Sequence, residues 1–485
     1  MTGGPGGPGR AAWEPGTGPE ERMTDLEALM WRLGQHDPRL VSTMSMLVLF
    51  DRPLDRGVLL DRLDQLSRRV PRLRCRVAPS ALPAVPPRWE PDPDFSLGRH
   101  VQVATWRRSL REAEGEAEGA AGGVCAHPDL LSVAQDVVSC PFVAGRAPWR
   151  AVLVPGETDA LVLHLHHSYT DGLGGLLLLA ELFDLMASGD ERATDPSGPG
   201  GCSVLDAFSG DLHAAFQRSA GLARSVVPWS VRSIRAASAD PAALLGAASA
   251  AARSARSALV AAAGPPSPVL GGRSAATVLA ALDVPLDSLR NVGGRLGATV
   301  NDVYLATLLE GLARYHEKFA ARPPSLRLAV PMSARLDGRD EMVMRNHLQA
   351  ALLRGPLGPL DFDERTRLVH QMVALARRQP WLDLMDVTAG IGMRAPGAVR
   401  LMAAALRSLD VVASNVSGPS SALHLGGARA RAMVPFGPRS GSAVNATLLS
   451  YAGTAHIGLN IDPEAVADPA AMLDCVGAVV QEHLR

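Results

Sequence analysis

Apolar and polar positions change period along this chain, and the changes mark its elements. Thr24, followed three residues later by Glu27, has the form of a capping box and opens a short helix over 23–33. Residues 42–50 (Ser-Thr-Met-Ser-Met-Leu-Val-Leu-Phe) read as a strand. Val58, Leu59, Leu63, Leu66 and Val70 then recur at helical spacing and predict a helix over 55–70. Strands are expected around 72–78 and 98–105, and an Ala/Gly/Glu stretch at 111–123 reads as an inserted loop. A helix at about 128–138 precedes strands at 149–154 and 160–166, and Leu173 to Met186 is a strongly apolar helix.

Composition changes at Ala187, and residues 187–272 are rich in Ala, Ser, Gly and Pro, the mark of a linker. Between Leu212 and Leu282 there are seven arginines and one acid, Asp240, with Phe216, Val226, Trp229 and Ile234 among them. Two readings stand: a basic amphipathic surface for anionic lipid, or a solvated helical crossover. A second half begins near Arg273, with a strand at 277–284 and a helix at 286–296. Gly297-Ala298-Thr299-Val300-Asn301-Asp302 then opens a long helix through about Phe319. Strands follow at 326–331, 347–353, 409–414, 429–434, 443–450 and 454–460, and a last helix covers 469–484. Strands alternating with helices in both halves predict an α/β class with mixed sheets. The expected division is a disordered tail (1–22), a first unit (23–186), a linker (187–272) and a second unit (273–485).

Length agrees, since 485 residues are too many for one ordinary core. A net charge of −1 gives no drive toward nucleic acid. Cys75, Cys125, Cys140, Cys202 and Cys475 are scattered and form no CxxC pair, which fits a reducing cytoplasm. No apolar run reaches the roughly 18–20 residues that span a bilayer. Lys318 is the only lysine and follows Glu317, so a Walker A loop is ruled out; no GxSxG elbow and no HExxH occur.

The candidate chemistry lies at the end of the 160–166 strand, where His164, His166 and His167 precede Asp171 and Gly172. Three readings compete. His167 is a general base, since an imidazole titrates near neutrality and exchanges protons with an alcohol. Adjacent strand residues face opposite sides, so His166 then packs or supports the turn and Asp171 braces it. Alternatively His164 and His166, sharing a face, begin a metal site, although His347, His424 and His456 are isolated and carry no ligand spacing. The third reading is core packing. Asn301 is a candidate oxyanion donor at a helix start, or the cap of that helix; Asn415 lines the site or turns the chain.

His166-His167-Ser168-Tyr169-Thr170-Asp171-Gly172 matches the HHxxxDG signature of CoA-dependent acyltransferases and peptide-synthetase condensation domains. Arg146-Ala147-Pro148-Trp149, Gly297–Asp302, Val330-Pro331-Met332-Ser333 with Asn346, Ser414-Asn415-Val416-Ser417-Gly418-Pro419, and Ser450-Tyr451 with Gly453 and Gly458 follow in order. Together they resemble the bacterial wax ester synthase/diacylglycerol acyltransferase family over roughly 23–485. Ser168 stands where that family usually has Ala, and Ser417 where its loop has Pro.

The resemblance implies two chloramphenicol-acetyltransferase-like subdomains with a tunnel between them and His167 at its centre. It implies Gly172, Asn301, Asp302, Ser414 and Asn415 as substrate-binding residues, with His167, His166 and Asp171 as the catalytic set. It implies transfer of a long-chain acyl group from acyl-CoA, as co-substrate and with no resident cofactor, to diacylglycerol or a fatty alcohol. No acyl-enzyme is needed, in agreement with the missing serine elbow. The partners expected are acyl-CoA, a lipid alcohol and a membrane or lipid-droplet surface, not nucleic acid; the location expected is cytoplasmic or peripheral on lipid. The alternatives are condensation on a carrier-protein thioester and a non-catalytic scaffold.

Overall fold

The computed structural model describes residues 21–82, 85–104, 128–156, 158–170, 172–183, 265–332, 349–377 and 397–484. The inserted loop at 111–123, most of the linker, Cys125, Cys202, Asp171, Ser333, Asn346 and His347 lie outside the described residues.

The first half runs β1 (Glu21–Arg22), α1 (Asp25–His36), β2 (Thr43–Phe50), α2 (Arg56–Arg69), β3 (Cys75–Ala78), β4 (Arg88–Pro91), α3 (Leu97–His100), β5 (Val101–Val103), α4 (Pro128–Ser139), β6 (Trp149–Val154), β7 (Ala160–His166) and α5 (Gly172–Leu182). The second runs β8 (Val278–Pro285), α6 (Leu286–Leu296), α7 (Val300–Lys318), β9 (Ser325–Met332), β10 (Gln349–Pro356), α8 (Phe362–Arg377), α9 (Ala398–Arg407), β11 (Val411–Ser417), β12 (His424–Leu425), β13 (Ala428–Phe436), β14 (Val444–Tyr451), β15 (Thr454–Ile461) and α10 (Pro469–His483).

Local chemistry accounts for many boundaries. Thr24 caps α1 and forms the capping box with Glu27 that the sequence announced. Thr299 and Asp302 do the same for α7, and α6 stops at Gly297, whose φ of 66° suits a residue without a Cβ. Three helices were not anticipated: α3, which overlaps the strand expected around 98–105, and α8 and α9. In α8, buried Arg365 and Thr366 interrupt the apolar period, although Asp361 and Glu364 exchange backbone bonds in capping-box fashion. Helix α9 is Ala-rich and short. Residues 72–74, expected to be strand, lie in a 3-10 turn that begins at Pro71.

Among the described residues the strands form two mixed six-stranded sheets, β12-β13-β2-β7-β6-β5 and β10-β9-β11-β14-β15-β8, and a small sheet β1-β4-β3. The sheets do not divide at Arg273. Strand β11 pairs parallel with β14, and a parallel pair needs a crossover. That crossover runs through the first sheet: β13 pairs antiparallel with β2, Val434 opposite Leu47. The chain then returns at Gly437-Pro438, clamped by side chains of the second sheet. Asn460 Nδ2 donates to the Gly437 carbonyl at 3.1 Å and Asn445 Nδ2 to the Pro438 carbonyl at 2.9 Å. A Cβ on Gly437 would lie 2.6 Å from Thr447 Oγ1, so only glycine passes here.

Two further boundaries move. Glu21 and Arg22, expected in the tail, pair with β4. Ser267 and Leu270, expected in the linker, are anchored in the second half: Leu270 is core, and Ser267 Oγ lies 2.7 Å from His316 Nε2.

Candidate active site

Strand β7 lies between β2 and β6 in the first sheet, so His164 and His166 are held in the sheet interior and His167 follows directly at the strand's end. His164 stands opposite Ser45, and the Ser45 hydroxyl is 2.8 Å from its Nδ1. Its ring stacks on Phe142, centroids 4.8 Å apart. Burial above all, then the Arg150 and His166 charges, lowers its pKa to about 3. His166 ends the strand. Its Nδ1 accepts from the Ser168 backbone N–H at 3.1 Å, which puts the proton of the neutral ring on Nε2. The Ser168 hydroxyl lies 2.8 Å from the same nitrogen, and Trp31 meets the ring edge-on at 4.8 Å. Burial first, then the His167 charge, lowers this pKa to about 3 as well. Neither ring takes up a proton near neutral pH.

His167 is the first residue of the turn. It is 6% exposed, and its N–H donates to the Ser42 carbonyl at 2.8 Å. The turn closes through the Tyr169 N–H to the His166 carbonyl at 3.1 Å. Residues distant in sequence hold it from behind. The Tyr169 hydroxyl donates to the Cys75 carbonyl at 3.1 Å, and its ring stacks on Trp89 at 4.7 Å. Arg72 donates to the Tyr169 carbonyl at 3.4 Å and to the buried Glu27 carboxylate at 3.2 Å. Glu27 and Arg72 were missed as site residues. Glu27 carried only a capping signal, and Arg72 carried none.

Asp171 lies outside the described residues; Gly172 opens α5. A Cβ on Gly175 would sit at an ordinary 3.5 Å from Met44, so close approach does not require glycine there. Leu176, Leu179 and Ala180 of α5 face Ser417, Gly418, Pro419, Leu423 and Met433 across an apolar cavity of about 160 Å³. The 414–419 motif and the helix that follows the histidine motif, far apart in the chain, thus share one cavity.

The remaining candidates separate. Asn301 does not cap α7, because Thr299 does; it is half-buried in the first turn. Asp302 is buried, and its Oδ2 accepts from the Thr299 N–H at 2.9 Å, the Thr299 hydroxyl at 2.8 Å and His370 Nδ1 at 2.8 Å. Asn415 is not on a loop. The β11–β14 ladder continues to Ser417, since no proline interrupts it before Pro419. Ser414 lies opposite Thr447 and Asn415 opposite Leu448, so alternation puts the two on opposite faces. Asn415 shares the face of Ala413 and Leu448, which belong to the second half's core. His456, isolated in the sequence, lies 2.6 Å from Asp283 across β15 and β8. Among the described residues, no three His, Cys, Asp or Glu side chains converge as metal ligands.

The wax ester synthase/diacylglycerol acyltransferase catalytic-domain model matches residues 23–304, and the C-terminal-domain model of the same family matches 346–482. The chain belongs to this family. It is an acyltransferase, and the family implies acyl donors and lipid alcohol acceptors in general. A putative diacylglycerol O-acyltransferase of Mycobacterium tuberculosis is 29% identical over 477 residues, covering 96% of this chain and 93% of the relative. A probable diacylglycerol O-acyltransferase of the same organism, tgs1, is 28% identical over 466 residues, 92% of each chain. The wax ester synthase/diacylglycerol acyltransferase from Marinobacter aquaeolei superposes with a TM-score of 0.58 at 19% identity, covering 95% of this chain and 98% of that one. The first condensation domain of the calcium-dependent antibiotic synthetase superposes at 0.55 and 15% identity, covering 96% and 97%. These likenesses bear out the mixed α/β fold with acyltransferase-like halves. Among the described residues no helix is long and apolar enough to cross a membrane.

Proposed function

We propose that the chain transfers a long-chain acyl group from acyl-CoA to a lipid alcohol, diacylglycerol or a fatty alcohol, with His167 as general base. The observation that carries this is the division among the three histidines. His164 and His166 are held neutral by burial, while His167 begins a braced turn leading into an apolar helix and cavity. The imidazole takes the hydroxyl proton as the alcohol oxygen bonds to the thioester carbonyl carbon. The tetrahedral intermediate collapses, the C–S bond breaks, and the imidazolium returns its proton to the CoA thiolate. Proton transfer of this kind contributes about 10²–10⁴-fold, and holding both substrates together contributes more.

The cavity against α5 suits an acyl chain, because its lining side chains are almost all apolar. No resident cofactor enters the step. A water-insoluble acceptor requires work at a lipid surface, so peripheral attachment to a membrane or droplet belongs to the same reading. The test is CoA release by purified protein given palmitoyl-CoA with either dioleoylglycerol or hexadecanol. Turnover with one of them, lost in His167→Ala, is expected; full activity in that variant would overturn the mechanism.

A further inference from the structure

Among the described residues, certain buried side-chain N and O atoms have no hydrogen-bond partner. Two of them, Ser42 Oγ and Thr170 Oγ1, flank His167. Ser42 is 2% exposed and Thr170 0%. Thr170 lies three residues on, in the turn itself. Ser42 lies across the ladder. Thr43 is opposite His166, the register runs on by one, and the His167 N–H reaches the Ser42 carbonyl at 2.8 Å. Residues opposite one another in an antiparallel pair project from the same face, their Cβ atoms about 4.5–5.5 Å apart. Serine thus stands against histidine twice, once within the β2–β7 ladder and once just beyond its last pair, where the His167 N–H bond to the Ser42 carbonyl joins the two backbones. In the first pairing the Ser45 hydroxyl is bonded to His164 at 2.8 Å. In the second the Ser42 hydroxyl has no hydrogen-bond partner among the described residues.

A buried hydroxyl without a partner is destabilising, so its retention beside the reacting imidazole calls for an acceptor that arrives with the substrate. We propose that the Ser42 hydroxyl is a catalytic donor that hydrogen-bonds the thioester carbonyl oxygen as that oxygen becomes negative. This rests on the acyl transfer proposed above. As the alcohol oxygen attacks, the carbonyl π pair moves onto the oxygen facing Ser42, and the serine keeps its proton. Collapse re-forms the carbonyl and expels the CoA thiolate, which takes the proton held by His167. A donor whose backbone is tied to His167 at the ladder's end needs no reorganisation at that moment, which is where such groups act.

The test uses the full chain with palmitoyl-CoA and hexadecanol or dioleoylglycerol. Ser42→Ala is expected to lower kcat roughly 10²-fold, to leave the KM for palmitoyl-CoA within about twofold, and to melt no lower than the parent. Ser42→Thr, which keeps the donor, is expected to recover part of kcat. Ser42→Cys, close in size with a weaker donor, gives the same direction as alanine and serves if the alanine variant fails to fold. Parent-like kcat in the alanine or cysteine variant overturns the proposal. So does a loss of kcat that tracks a lowered melting temperature and is not recovered by threonine. Failure of the parent to turn over either acceptor overturns the acyl-transfer reading, and this proposal with it.

Discussion

Two corners of the molecule that each carry a motif are built in opposite ways. The start of α7 is a local construction: Thr299 and Asp302, three residues apart, satisfy each other's backbone N–H groups. The turn after β7 is a long-range one. Ser42, Cys75, Arg72, Glu27 and Trp89 hold it, and each lies some 80 or more residues away in the chain. A helix start needs only its own first turn to be stable in place. A reactive imidazole needs rigid placement, and here parts that fold from elsewhere supply it. The corner built from neighbouring residues is therefore the one a sequence pattern reveals.

The largest loss is expected at the reacting imidazole. His167→Ala is expected to cost about 10²–10⁴-fold in turnover while the far-ultraviolet circular dichroism stays unchanged. Next comes the buried brace. Arg72→Met leaves the Glu27 carboxylate without a partner it has now, in a position with no access to water. A loss of about 3–5 kcal/mol in urea unfolding is expected; a loss under about 1 kcal/mol would show that the turn does not depend on the pair.

Acid sharpens the same contrast. His164 and His166 have folded pKa values near 3, against an ordinary 6.5 that the unfolded chain regains. Their stabilisation is complete above about pH 6.5. It is lost as pH falls toward 3, because only the unfolded state takes the protons. Each contributes a slope of about 1.4 kcal/mol per pH unit in that window. Urea midpoints at pH 7 and pH 5 measure it, and His164→Asn should remove a share of the slope; an unchanged slope would contradict the buried neutral state.

The local corner yields less. Thr299→Ala is expected to cost about 1 kcal/mol, the usual worth of an N-cap. His370→Asn is expected to cost less still, under about 1 kcal/mol, since the His370 side chain is 39% exposed and its pairing with Asp302 is screened. A loss at either position comparable to that of Arg72→Met would erase the distinction between the corners.

Much of the fold was legible where the signal was periodic or local. The 42–50, 149–154 and 160–166 runs, the 55–70 helix and the Thr24 capping box all appear at or within a few residues of the expected places. Helix α8 was missed because buried Arg365 lies where an apolar residue would complete the period. It is accommodated by Glu310, which no local pattern reveals. At the site, the histidine string was legible and its division of labour was not. His164 and His166 become neutral because tertiary packing removes water from them. Asn415 changed from loop to strand because β14 offered a parallel edge.

Most elements, two helix caps and the order of the motifs can be read from the chain alone, because period, capping and turn chemistry act within a few residues. Only the tertiary structure decided that β13 leaves its own half to pair with β2, and that Arg72 and Glu27 stand behind the histidine turn. It alone set Ser42 beside His167. Strand partnership and burial depend on which distant segments meet, and the free energy that selects them belongs to the assembled core, not to any stretch of chain.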